Sequence, residues 1–242
     1  MNVRVYEGYD ILKCSLSLGS GNRMNAEYHD GTFYGVGEKV GGIAVGELYG
    51  MMAGRESPGR GVVYPWMQSL LEMNAELRYD AVPGALGQTL RDAGLEAAVL
   101  GNGDEVTGRM SVMMRDFAAV AMDARGVVGM GDVSRGLLSA AGGGPTGLRA
   151  NAEKMFKKYR DYYEAADFIV VDYGDFFRAE TAESYADAQE AEHGAGQALA
   201  STDAFIKKCV DSSDASSTLF FVLSQYPSYD DNHYLPPVIA AG

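Results

Sequence analysis

The sequence predicts an α/β fold of three layers, with helices on both faces of a mostly parallel central sheet. Three observations carry this expectation. Short runs with apolar centres, Leu95–Leu100, Asp167–Asp172 and Thr218–Ser224, have the length of strands and do not alternate with polar residues. Such runs are expected where neither face of a strand meets water. Longer amphipathic stretches lie between them. In Leu148–Ala166, for example, Met155, Phe156, Tyr159, Tyr162 and Tyr163 recur at helical spacing among Lys and Arg. Finally, 242 residues with 47% hydrophobic and 22% charged side chains can bury a sizeable core.

Taken in chain order, Ser15–Arg23 begins as a strand-like run. Pro83 opens a helix in which Leu86 and Leu90 repeat at four-residue spacing, and Gly94 closes it. Leu95–Leu100 is then a buried strand entering the loop GNGDEVTGR. Phe117–Met122 reads as a second strand, with Val127–Val128 extending it or pairing with it. Leu148–Ala166 is a helix, Asp167–Asp172 a strand, and Ala179–Val210 mostly helix with a break at His193–Gly196. Thr218–Ser224 and Pro237–Ala241 supply the last strands. Glycine-rich stretches at Gly35–Gly50, Gly101–Gly108, Gly126–Gly131 and Gly142–Gly147 punctuate these elements. No repeat or long polar linker interrupts them, so residues 1–242 are expected to form a single domain.

Composition excludes some functions. Lys and Arg number 20 against 33 Asp and Glu, a net charge of −13, which disfavours nucleic acid and anionic lipid because both need a basic face. No apolar run approaches the roughly 18–20 residues of a membrane span, so direct membrane insertion is not expected. The first residues, MNVRVYEGYD, lack the apolar core of a signal peptide. Cys14 and Cys209 fit either one disulfide or two free thiols.

Most motif tests are negative. GNGDEV (Gly101–Val106) lacks the third glycine of a dinucleotide fingerprint and reads as a turn. GGGPTGLR (Gly142–Arg149) has Leu148 and Arg149 where a phosphate loop needs Lys and Ser/Thr. No G-x-S-x-G elbow occurs, and His29, His193 and His233 are isolated. Glu180, Glu183, Asp187 and Glu190 are spaced to share one helix face, read as a solvated acidic face. In parallel sheets functional groups gather at the carboxyl ends of strands. There Asp172 and Asp175 stand three residues apart at a strand exit, a spacing that hard cations use and that helix caps also use.

Five segments, SLSLGSGNR (Ser15–Arg23), VPGALGQTLRDAGLEAAVLGNGD (Val82–Asp104), FAAVAMDARGVVGMGDVS (Phe117–Ser134), FIVVDYGD (Phe168–Asp175) and LFFVLSQYP…LPPVIAAG (Leu219–Gly242), resemble in order an alkaline-phosphatase-like domain. The likeness is to a bacterial, membrane-associated branch of the superfamily that includes sulfatases, phosphopentomutase and cofactor-independent phosphoglycerate mutase. It implies an alkaline-phosphatase-like αβα fold, incomplete at both ends, and an extracytoplasmic location. It also implies a pair of divalent metals (Zn, Mn or Mg) activating a Ser or Thr nucleophile.

Carried over by position, Asp175 matches the Asp of the first Asp…His motif, but Phe176–Glu180 supplies no His. Ser224-Gln225-Tyr226 stands where an Asp–His pair belongs, and His233 approximates a later ligand. Ser17 and Ser20 are the available nucleophile candidates. Two cations about 4 Å apart need several carboxylates and imidazoles to offset their repulsion. The expectation is therefore a degenerate site without cofactor, serving as a binding or structural module for a small anion or a protein. One alternative is a metal-dependent phosphoester or sulfate-ester hydrolase using Asp172, Asp175, Asp132 and His233. Another is an acidic interaction domain that binds a basic partner through Ala179–Glu192.

Overall fold

The computed structural model describes residues 10–27, 32–77, 80–107, 110–142, 146–183, 186–224 and 238–241. In chain order the elements are α1 (Ile11–Ser20), β1 (Tyr34–Gly35), β2 (Lys39–Val40), β3 (Ile43–Ala44), α2 (Val45–Ala53), β4 (Val62–Val63), α3 (Met67–Ala75), α4 (Ala85–Asp92), β5 (Ala97–Gly101), β6 (Glu105–Thr107) and β7 (Met110–Val112). A 3-10 helix, Asp116–Val120, precedes β8 (Val127–Val128), β9 (Met130–Asp132), β10 (Leu138–Ala140), β11 (Leu148–Ala150), α5 (Ala152–Tyr163) and β12 (Phe168–Asp172). The chain continues through α6 (Asp175–Glu183), α7 (Ala188–Asp211), β13 (Phe220–Leu223) and β14 (Val238–Ala241).

The architecture is mixed α/β. A parallel sheet of three strands, in the order β9-β5-β12, is accompanied by small antiparallel sheets, the largest being β1-β4-β8. Successive residues of β12 serve opposite faces, as the pleat requires. Phe168 and Val170 pack with Val99, Leu16, Met122 and Tyr64, whereas Ile169 and Val171 pack with Leu100, Met155, Tyr159 and Phe205. Apolar clusters thus cover both faces of the parallel sheet, which explains why these strands are apolar through their centres. Gly101 ends β5 with φ 99°, and a Cβ there would lie 1.9 Å from the Asp172 carbonyl oxygen. Only glycine lets the two strand ends approach so closely.

Four expectations about local structure are corrected. Ser15–Arg23 is not strand-like, because Ser15–Ser20 belongs to helix α1. Asp10 caps this helix by accepting the Lys13 N–H at 3.1 Å, and Gly21 stops it with φ 67°. Leu12 and Leu16 bury one face, and the Ser15 hydroxyl donates to the Ile11 carbonyl at 2.8 Å. The polar half of the alternation is thereby satisfied inside the helix. Second, the strand expected at Phe117–Met122 is a 3-10 helix over Asp116–Val120. Its alanines admit α1 so closely that a Cβ on Gly19 would lie 2.8 Å from the Ala119 carbonyl oxygen.

Third, Leu148–Ala150 pairs with β10 as a strand before the helix begins. Fourth, the helix expected over Ala179–Val210 breaks before Asp187, not at His193–Gly196. Asp187 caps α7 in a capping box with Glu190, and Gly194 and Gly196 lie inside the helix. Glu180 and Glu183 therefore belong to α6 and Glu190 to α7, so the four-carboxylate ladder on one helix does not form. Among the described residues, no helix is long and apolar enough to cross a membrane.

Candidate functional site

The register aligns Asp172 with Gly101, and Leu100 with Asp132, so the exits of β9, β5 and β12 lie side by side. The polar residues collected there include two arginines with almost no exposed surface, Arg115 and Arg178. Burying a guanidinium is costly unless its charge and donors are matched.

Arg115 is matched by Asp104 and Glu38. Its Nε and Nη2 donate to the two Asp104 carboxylate oxygens at 3.1 and 2.9 Å, and its Nη1 donates to Glu38 Oε2 at 2.8 Å. Burial works against the Arg115 charge, but its bonds to Asp104 and the charges of Asp104 and Glu38 hold it above its ordinary value. Asp104 also accepts from Arg135 Nε at 3.1 Å and from the Met114 N–H at 3.0 Å. All four are charge-assisted or backbone bonds of good geometry, and they occupy both oxygens.

Arg178 joins the loops after β5 and β12. It donates to the carbonyls of Asn102 (2.9 Å), Asp104 (3.3 Å) and Tyr173 (2.8 Å), and to Asp175 Oδ1 through Nη2 (2.7 Å) and Nε (3.1 Å). Asp175 Oδ1 accepts the Ala150 N–H as well, and Oδ2 accepts from the Ser201 hydroxyl at 3.3 Å. Asp175 thus opens α6 and ties it to two other segments, β11 and α7.

Asp172 is different. It is buried, and its Oδ2 has no hydrogen-bond partner. Burial pushes its carboxyl up to about 7, against the lowering effects of Arg178 and the Gly174 N–H. Asp116 is also raised to about 7, first by burial and then by the charge of Asp10, although the Thr32 hydroxyl donates to it at 3.3 Å.

The remaining expected residues are dispersed. Asp132 shares the face of its register partner Leu100, whereas Asp172 shares the face of Val170 and Val99, so the two carboxylates project to opposite sides of the sheet. Asp132 accepts from the Ser134 hydroxyl at 2.7 Å and pairs with Lys158 on α5 at 3.5 Å. Ser17 is buried in α1, its Oγ accepting the Met24 N–H at 3.0 Å, and the Ser20 hydroxyl donates to the Asn22 carbonyl at 2.8 Å. Both hydroxyls are thus engaged locally around the end of α1. His29, His233, Gln225 and Tyr226 lie outside the described residues.

Among the described residues, the carboxylates near the strand ends are differently engaged. Asp104 and Asp175 are held by guanidinium groups, Asp132 faces away from Asp172, and Asp172 is placed where burial favours its neutral form. Among the described residues, no group of three or more His, Cys, Asp or Glu side chains is arranged to hold a metal ion.

The sequence reading missed Asp104, Arg115 and Arg178. For Arg178 a signal was present, since it follows Asp175 by three residues, which is ion-pair spacing on a helix. Arg115 joins Glu38, Phe33 and Asp104 across as many as 82 positions and left no local signature. Compared with protein families, with curated proteins and with solved structures, the chain finds no match in any of the three.

Proposed function

We propose that the chain is an alkaline-phosphatase-like αβα domain whose strand-end carboxylates hold arginines instead of metals, and that it is a non-catalytic binding or structural module. One observation carries the reading: Asp175, the residue that aligns with a metal-binding Asp, gives Oδ1 to Arg178 Nη2 at 2.7 Å and to the Ala150 N–H at 2.8 Å. A guanidinium and a dication compete for the same lone pairs, and the buried Arg178 is already in place. The apolar clusters on both faces of the parallel sheet support the three-layer part of the reading. Calorimetric titration of the full chain with Zn²⁺ and with Mn²⁺ is expected to show no stoichiometric two-ion binding; two tight sites per chain would overturn it.

One observation favours the hydrolase alternative, namely the unpartnered Oδ2 of the buried Asp172. Turnover of an aryl phosphate or aryl sulfate with added Zn²⁺, Mn²⁺ or Mg²⁺, abolished in Asp175→Ala, would establish that alternative.

A further inference from the structure

Beside Asp175 a cleft of about 780 Å³ opens between the β10–β11 pair, the start of α5 and the first turns of α7. Its size lies within the range of small-molecule sites. Two cationic side chains line it, Arg149 and Arg178, against three anionic ones, Asp175, Glu153 and Glu190. Arg178 and Asp175 neutralise each other at 2.7 Å and drop out of the balance. Arg149 is exposed on β11, and its guanidinium has no hydrogen bond or ion pair among the described residues. Glu190 spends one oxygen on the Asp187 N–H at 3.4 Å and keeps the other.

The cleft therefore presents one uncommitted guanidinium and uncommitted carboxylate oxygens. A simple anion would meet Glu153 and Glu190 in a chain of net charge −13, and a simple cation would meet Arg149. A molecule carrying both charges satisfies both poles. The amino end of α5, capped by Asn151, lies next to Arg149 and adds partial positive charge on the same side. Along α7, His193 and Gln197 are one turn apart and joined at 2.8 Å, forming a wall of donors and acceptors suited to a peptide group.

We propose that this cleft binds a small zwitterion of the amino-acid or short-peptide class, with its carboxylate on Arg149 and its ammonium toward Glu190. The proposal does not depend on whether the strand ends take metal. The test is a titration of the full chain, in metal-free buffer, with glycylglycine, acetate and ethylammonium, followed by amide chemical shifts and calorimetry. Glycylglycine is expected to bind saturably, and the two single-charge probes roughly tenfold or more weaker. Arg149→Gln and Glu190→Gln should each weaken glycylglycine binding by roughly tenfold. Both positions are on the surface, and Gln at 190 preserves the capping box. Acetate binding as tightly as glycylglycine, or Glu190→Gln leaving the affinity unchanged, would reduce the cleft to a simple anion site and overturn the proposal. The absence of a saturable response to glycylglycine would overturn it equally.

Discussion

Replacing Arg178 by Met isolates what its guanidinium does, since the two side chains are similar in length and Met fills the buried stem's path. The substitution deletes five hydrogen bonds, three to the carbonyls of Asn102, Asp104 and Tyr173 and two to Asp175. Arg178 is 1% exposed, so those carbonyls gain little access to water. Removing one partner of a buried ion pair costs about 3–5 kcal/mol. With a urea dependence of about 2–3 kcal/mol per molar, the unfolding midpoint should fall by roughly 1–2.5 M. Asp175→Asn alone should cost a similar amount by stranding Arg178. The double variant should cost less than the sum, by about 1–3 kcal/mol, because the second change removes a group the first had already left unpaired. Urea unfolding followed by circular dichroism gives all three values. Additive losses, or a midpoint for Arg178→Met within about 0.3 M of wild type, would refute the claim that this pair anchors the loops.

Three further outcomes follow from the same structure. Folding raises the Asp172 carboxyl from 3.8 to about 7, so the folded chain keeps a proton there that the unfolded chain releases. The resulting stabilisation is full below about pH 4, is lost as pH rises towards about 7, and stays flat above it. Asp116, raised to about 7 as well, adds the same dependence, so Asp172→Asn should reduce the fall of the melting temperature between about pH 5 and 7 without abolishing it, and raise the value at pH 8; a slope equal to wild type would contradict this assignment. Cys14 and Cys209 are free and buried, their thiols pushed up by burial to about 11 and about 12. Ellman's reagent should find no fast-reacting thiol in the folded chain and two after denaturation, and a rapid native reaction would rule out that burial. Gly101→Ala should cost more than about 2 kcal/mol, since the new Cβ meets the Asp172 carbonyl and φ is 99°. An unchanged thermal unfolding curve would show that the strand ends can part.

The sequence revealed the central strands because their chemistry is local. The runs at Leu95–Leu100 and Asp167–Asp172 became β5 and β12 within two residues. Val127–Val128 is a strand, β8, but it pairs with β4 in a separate antiparallel sheet and not with Phe117–Met122. What misled was any segment whose state is decided by its neighbours. Phe117–Met122 is apolar enough for a strand, but its small alanines accept α1 at backbone distance instead. Gly194 and Gly196 look like helix breakers, yet the Asp187–Glu190 box starts α7 ahead of them and the helix absorbs both. At the site, the importance of Asp172 and Asp175 was visible from their position after an apolar strand. The i,i+3 spacing of Asp175 and Arg178 was legible too, but the carbonyls that complete the Arg178 shell come from two loops, and the separate Arg115–Asp104–Glu38 cluster joins remote segments, so neither left a local pattern.

The central sheet also constrains the order in which the chain can be assembled. β5 must wait for β12, and the Glu96 N–H reaches the Asp167 carboxylate across 71 positions. A ribosome that has delivered β5 and β9 still leaves one flank of β5 bare, with the Val99 and Leu100 surfaces incompletely covered. Closing so wide a loop is slow, and during that interval the nascent sheet has an open border that other chains can join. The border on that flank of β5 therefore closes only once the stretch through Asp172 has emerged.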